Sequence, residues 1–346
     1  MEHPGRADLP GLPGRAVGRL HLLADRTLLV IDFRYHLVSI VAVFLALAVG
    51  IVLGTTMLQD PFLDQLKAEG VSLKEETDKL RADKDALTAL STGDDQLIGA
   101  YAPQLVAERL TDARVVVMTA PGADARMVEA VAARIQQAGA TVTGTVGFTD
   151  RYLEDQEGGV ISGLTDRLKP AELALPSGTR YERAAAEIAW ATLAKNEEKA
   201  GREDPAAEAV LTGFQTGGYL KLSGEPATRA TLAVVIAPSS AFPGPDINGD
   251  NAAFVAVARA LDDTGQGAVV AGGPTARATD GLLAALRDDD AADGVSSNDV
   301  ADTQAGQVVT VLALAGERKG QSGQYGIGER ADAFLPDPVP PPISKG

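Results

Sequence analysis

From Leu37 to Gln59 the chain carries no charged side chain: LVSIVAVFLALAVGIVLGTTMLQ is 23 residues long. A bilayer core is crossed by roughly 20 apolar residues in a helix, because only a helix or a closed barrel satisfies its own backbone there. Asp32, Arg34 and His36 bracket the run on one side and Asp60 on the other, and no comparable run follows. The expectation is a single-pass membrane helix over 37–59. A competing reading is a signal peptide, with an h-region over 37–45 and an A-x-A site at Ala46-Leu47-Ala48. The apolar character continues through Val49, Ile51, Val52 and Leu53 to Met57, which favours a retained anchor. Arg15, Arg19, Arg26 and Arg34 before the span outnumber Lys67 and Lys74 just after it. By the positive-inside rule the N-terminal segment, 1–36, is cytoplasmic and the body lies outside the cytoplasm.

Ala42, Ala46, Gly50 and Gly54 recur every four residues along the span and end in G-x-x-x-G. Such a stripe lets two helix backbones approach closely in lipid, although Ala and Gly are common throughout the chain. Beyond Asp60-Pro61, which reads as a helix start, Leu66, Leu73, Leu80 and Leu87 fall seven apart. Taken as d positions, they leave Lys67, Lys74 and Arg81 at e, and Glu69, Glu76 and Asp83 at g. In a parallel pair Glu69 then meets Lys74 and Glu76 meets Arg81 of the other chain. Two chains anchored in one membrane have only the parallel orientation open to them. Of the a positions, Leu63, Gly70, Thr77 and Lys84, three are poor core residues. A coiled-coil stalk over 60–92 is therefore expected, giving a parallel homodimer or higher homo-oligomer; the alternative is a long amphipathic helix lying on its own domain.

After Ser91-Thr92-Gly93-Asp94-Asp95 the pattern changes to short β-branched runs alternating with Ala-rich segments. Strands are expected over 114–119, 141–146, 231–237, 267–272 and 307–313, and helices over 123–138, 180–196, 205–215, 252–263 and 280–286. Near-continuous apolar runs such as LAVVIA and VVTVLALA suit strands covered on both faces, and the βαβα order suits a doubly wound, mostly parallel sheet. An α/β domain over 93–335 and a Pro-rich tail over 336–346 complete the chain, with 150–178 reading as an insertion.

Several chemistries are excluded by residue type. Cysteine is absent, which removes disulfides and thiolate metal sites. The three histidines, His3, His21 and His36, all precede the span, so the body has no imidazole base or ligand. Net charge is −16, and the part after residue 59 carries −17, so nucleic acid is an unfavourable partner. The strand ends Ala120-Pro121-Gly122, Ala237-Pro238-Ser239-Ser240 and Gly272-Gly273-Pro274 carry no nucleotide-binding motif and read as turn chemistry. The run Asp246-Ile247-Asn248-Gly249-Asp250-Asn251 imitates a calcium loop, but Asn251 and Val257 stand where Gly and Glu are required. It reads as a cap for a helix starting near Ala252, and Asp288-Asp289-Asp290 with Asp293 as a solvated acidic loop. No catalytic, cofactor-binding or metal-ligating residue is assigned, and the chain is not read as an enzyme.

The block Ile31-Asp32-Phe33-Arg34-Tyr35-His36-Leu37-Val38-Ser39, leading into FLALAVGIVLG, resembles the MctB copper transport family of bacteria with a mycobacterial-type envelope. VSSNDVADTQAGQVVTVLAL over 295–314 and Gly323-Gln324-Tyr325-Gly326 extend the match, which covers 31–346. The resemblance implies an envelope protein that limits intracellular copper, described for the family as a pore-forming outer-membrane channel. Copper as a partner rests on the resemblance alone, and no metal ligand is carried over. Residues 1–29 have no counterpart in the family and are expected to be an upstream extension, with Val30 at the family's start. The reading that follows is a membrane-anchored copper-handling protein of the cell envelope. The alternatives are an anchored scaffold that binds a protein or cell-wall partner without transport and, third, an anchored enzyme.

Overall fold

The computed structural model describes residues 28–57, 59–242 and 244–337, as two compact units, Met1–Ala86 and Leu87–Gly346. Expectations for 1–27 and for most of the Pro-rich tail lie outside the described residues. In the first unit, α1 runs from Leu28 to Met57, starting nine residues before the expected span. It contains a 23-residue stretch of high hydropathy, Phe33–Thr55, that is not buried against the rest of the described structure. Asp32, Arg34 and His36 are thus inside the helix rather than before it.

The second helix, α2, runs from Gln59 to Val106. Asp60 and Pro61 are therefore in its first turn, not at its cap, and Pro is tolerated there because first-turn amides have no intrahelical acceptor. The helix also continues through Ser91–Asp95, where the sequence suggested a boundary. Its last turns belong to the folded unit: Ala102 and Val106 are fully buried in the core.

The folded unit is built on β1 (Arg114–Thr119), β2 (Thr141–Phe148), β3 (Leu220–Gly224), β4 (Leu232–Ile236), β5 (Ala268–Ala271), β6 (Ser296–Asn298) and β7 (Gln324–Tyr325). They form one sheet in the order β3-β2-β1-β4-β5-β6-β7, parallel throughout except for β3. Strand β1 shows why its sequence is apolar without alternation. Val116 and Met118 face a core shared with α4 (Gly158–Leu168), α5 (Arg180–Thr192), α6 (Pro205–Thr216), α7 (Ile247–Thr264) and α8 (Leu282–Asp288). Val115 and Val117 face a second core with the end of α2, α3 (Ala125–Gln137) and α9 (Gln304–Glu317). Both faces are dry, as a doubly wound sheet requires. Between Val115 and Val116 the pairing with β2 slips by one residue, and Gly144 sits at the slip. A side chain on Gly144 would strike the Ser223 carbonyl and Pro226, so the tight pairing with β3 needs glycine there.

Three expectations are corrected. The run over 307–313 is not a strand but the middle of α9. Val308, Val309, Val311, Leu312 and Leu314 are all buried, and a helix buried all round looks like a covered strand over a short window. The segment 150–178 is not an insertion: it holds α4, with Ile161 and Thr165 in the core. Helix α7 begins at Ile247, five residues earlier than expected, capped by Asp246 through the Gly249 amide at 3.0 Å. Asp289, in the acidic loop, is a cap too, accepting from the Ala291 amide at 2.9 Å. Strands β3, β6 and β7 were not expected at all.

Candidate functional site

On α1, Ala42, Ala46, Gly50 and Gly54 lie on one face and are exposed. A methyl group placed on Gly50 or Gly54 would meet nothing within 4 Å, so no packing within this chain accounts for their small size. Leu66, Leu73 and Leu80 on the first unit, and Leu87 on the folded unit, are likewise exposed, between 47% and 66%. The four stripe residues and the four leucines are thus exposed on their helices.

In the folded unit the topology directs attention to the carboxyl ends of β1 and β4, where the strand order reverses. A crevice of about 320 Å³ opens there, lined by Asp124, Arg126, Met127, Ser239, Asp302 and Gln307 among others. Its loops are tied to one another. Gly122 takes the turn after β1 at φ 76°, and its carbonyl accepts from both the amide and the hydroxyl of Ser239. The hydroxyl of Thr275 donates to the Ser239 carbonyl at 2.8 Å.

A dinucleotide fold would present free helix amides to a phosphate here. In this chain three such amides are already engaged. Asp124 accepts from the Arg126 amide at 2.7 Å, Thr303 accepts from the Gly306 amide at 2.9 Å, and Asp95 accepts from the Gln304 amide at 3.2 Å. Two of the three acceptors are carboxylates, which repel an incoming anion. Burial holds the Asp302 carboxyl above its ordinary value, with Asp95 and Asp299 acting in the same direction.

Two of the segments that carry the family resemblance, 295–314 and 323–326, meet at the β7 end of the sheet order. Ser296–Asn298 is β6, Gln324–Tyr325 is β7, and the residues between and around them form one buried polar network. Asn298 donates to the Gly306 carbonyl at 2.7 Å and to the Thr310 hydroxyl at 2.8 Å, tying β6 to α9. Asp299 is fully buried and accepts from the amides of Ile327 and Gly328, at 3.0 and 2.9 Å. It also pairs with the buried Arg287 of α8 at 2.8 Å. Arg287 donates in addition to the Ser297 hydroxyl and the Tyr325 carbonyl, each at 2.9 Å. At the far end of β6, Glu317 accepts from the Ser296 amide and hydroxyl. Burial pushes the Glu317 carboxyl up to about 8, against the pull of those hydrogen bonds.

Ser296, Ser297, Asn298, Asp299 and Gln324 are engaged within the chain and close the β6–β7 edge of the sheet, whereas Asp302 and Gln307 line the crevice. Asp299 was visible as part of a motif, but its partner Arg287 was not. Arg287 sits at the end of an unremarkable amphipathic helix and is recognised only through the fold.

Soft copper ligands are set apart by the sheet. Met118 lies in the core on one face and Met127 in the core on the other. Among the described residues no group of three or more His, Cys, Asp or Glu is placed to hold a metal ion. Carboxylates alone hold Cu(II) weakly and without selectivity. Titration of the full chain in nanodiscs with Cu(I) or Cu(II) is expected to give no stoichiometric submicromolar site on the folded unit. Such a site, mapped to residues after 86, would overturn this.

With this geometry in hand, comparison with known proteins is specific. The profile of the family described as copper transport outer membrane protein, MctB, matches residues 30–336. The copper transporter MctB of Mycobacterium tuberculosis (strain ATCC 25618 / H37Rv) is 27% identical over 312 residues, covering 87% of this chain and 98% of that protein. The copper transporter MctB of Mycobacterium leprae (strain TN) is 28% identical over 325 residues, covering 88% and 98%. The chain belongs to the MctB family.

Proposed function

From that membership we propose that the chain is a membrane-anchored envelope protein of copper export and homeostasis, with copper as cargo rather than as a resident ion. Helix α1 crosses the bilayer once, the N-terminus faces the cytoplasm, and the α/β unit lies outside it. Two copies associate in parallel through the stalk leucines. The observation that carries this reading is the 23-residue stretch Phe33–Thr55, long enough to span and left unburied by the described structure. A single helix encloses no aqueous path, so a channel function requires helices from several chains. The stripe Ala42, Ala46, Gly50 and Gly54 supplies the face on which they would meet.

The test is complementation of a strain lacking its own MctB-family gene. The full chain is expected to restore growth at copper concentrations that arrest the deletion strain, and to fractionate with membranes with residues before Ala48 present in its peptides. A version in which a cleavable secretion signal replaces α1 is expected to be released and to leave the strain sensitive. Full rescue by the released version would remove the anchor from the mechanism, and failure of the full chain would remove copper export. Separating inner from outer membrane in the same strain assigns the compartment.

A further inference from the structure

The crevice at the carboxyl ends of β1 and β4 holds one polar group that the chain's own packing leaves unused. Gln307, near the start of α9, lines the crevice and is only 5% exposed. Its side-chain oxygen accepts from the Arg134 guanidinium at 3.4 Å. Arg134, itself buried, also donates to the side-chain oxygens of Gln304 and Gln137, at 2.6 and 2.7 Å. A guanidinium has donors only, so it fixes which end of the Gln307 carboxamide faces it. The carboxamide nitrogen is left with no acceptor among the described residues, yet it is not sealed in, so it opens on the crevice.

The other polar groups there are mostly of the opposite kind. The hydroxyls of Ser239 and Thr275 have already donated their hydrogens, to the carbonyls of Gly122 and Ser239, so each oxygen can only accept. Asp124 uses one carboxylate oxygen on the Arg126 amide and keeps the other. Among the described residues no side chain donates a hydrogen bond to the Asp302 carboxylate. Against these two carboxylates the lining sets a single cation, the exposed Arg126.

That mixture selects by charge and by hydrogen bonding. An anion would meet Asp124 and Asp302. A metal cation or an ammonium group has nothing with which to accept from Gln307 and would face the positive end of its amide. A hydroxyl both donates and accepts. A buried amide without a partner is costly, so an oxygen brought to Gln307 adds affinity. Met127, Pro238 and Pro274 offer an apolar surface to the C–H face of a ring. A volume of about 320 Å³ is near the lower end of ligand sites and has room for one ring rather than a chain of them. We infer that this crevice binds a neutral polyhydroxylated ligand, a single sugar ring, with Gln307 donating to one hydroxyl and Asp124 and Asp302 accepting from others. Such a site is separate from copper export, and neither depends on the other.

The full chain in nanodiscs, which avoid sugar-headed detergents, is probed by saturation-transfer NMR with glucose, galactose, mannose and N-acetylglucosamine, and with a soluble oligosaccharide of each. At least one sugar is expected to show transfer that saturates on titration. Equal binding of monomer and oligomer identifies a free sugar, and tighter binding of the oligomer a glycan; either supports the site. Gln307→Glu keeps an oxygen for Arg134 and removes the amide donor, and is expected to weaken binding about ten-fold. Asp302→Asn, at an exposed position, is expected to weaken it several-fold. Urea midpoints of both variants are expected to stay near that of the parent, which separates lost binding from lost folding. No transfer to any of these sugars, or unchanged affinity in both variants, overturns the inference. Tighter binding of glutamate or spermidine than of every sugar in the same assay overturns the ligand class.

Discussion

Asp299→Ala is expected to destabilise the folded unit by about 3–5 kcal/mol, the usual cost of leaving one partner of a buried ion pair unmatched. That is a large part of the roughly 5–15 kcal/mol by which a domain of ordinary size is stable. The reason is specific to the β6–β7 edge. Removing the carboxylate leaves the Arg287 guanidinium buried without its anion and strips acceptors from the Ile327 and Gly328 amides. Removing both charges together, as Asp299→Leu with Arg287→Met, is expected to cost less than Asp299→Ala alone. No stranded charge then remains, and apolar replacements of similar volume are often tolerated. Urea unfolding of the full chain in detergent can follow Trp190, the single tryptophan, whose ring lies 4.1 Å from the Arg229 guanidinium. A double variant at least as unstable as Asp299→Ala would show that Arg287 is not stranded in the single one. The network would then be held by its neutral hydrogen bonds.

The same edge shows which parts of the chain were legible in advance. Strands β1, β4 and β5 announced themselves because each is covered on both faces and therefore carries a near-continuous apolar run rich in valine. The order β3-β2-β1-β4 was not readable, since β3 is short, half exposed and antiparallel, and its pairing is fixed by the slip at Gly144. Strand β6 was hidden by its composition. Ser296, Ser297 and Asn298 look like a turn, and they form a strand because Glu317, Arg287, Gln324 and Thr310 satisfy their side chains from distant positions. Helix α9 was misread for the opposite reason, being buried all round. The absence of histidine and cysteine from the body was legible at once. That the two methionines face opposite sides of the sheet became visible only with the fold.

The helical faces were the most legible part of the candidate site and the least constrained by the chain's own packing. Seven-residue spacing picked out Leu66, Leu73, Leu80 and Leu87, and each of them is exposed. The stalk's apparent end at Ser91–Asp95 concealed that the helix continues. Gly93, Asp94 and Asp95 are poor helix formers. The helix nevertheless persists through them because Asp95 is tied to α9 and the turns that follow are anchored by Ala102 and Val106. Tertiary packing outweighed local propensity there, and in doing so carried the exposed leucines onto the folded unit.

Glu187 makes stability fall as pH rises. It lies on α5, fully buried, and neither carboxylate oxygen has a hydrogen-bond partner. Burial pushes its carboxyl up to about 8; Asp166 raises it further and Arg183 opposes. In the unfolded chain the same group titrates near its ordinary value of 4.5. Below that value both states hold the proton and the group contributes no penalty. As pH climbs toward 8 the unfolded chain releases the proton while the folded unit retains it, so folding is disfavoured by up to about 1.4 kcal/mol per pH unit. Glu317, also held up to about 8, acts in the same direction and window. Glu187→Met replaces the carboxyl with a side chain of similar length and no charge. It is expected to leave stability near pH 4.5 close to that of the parent chain. By pH 8 it should be more stable than the parent by about 4 kcal/mol, with the slope between them roughly halved because Glu317 still titrates. Urea midpoints measured at half-unit intervals from pH 4.5 to 8.5 read both quantities. A Glu187→Met chain whose stability falls with pH as steeply as the parent's would show that Glu187 is ionised and solvated in the folded state.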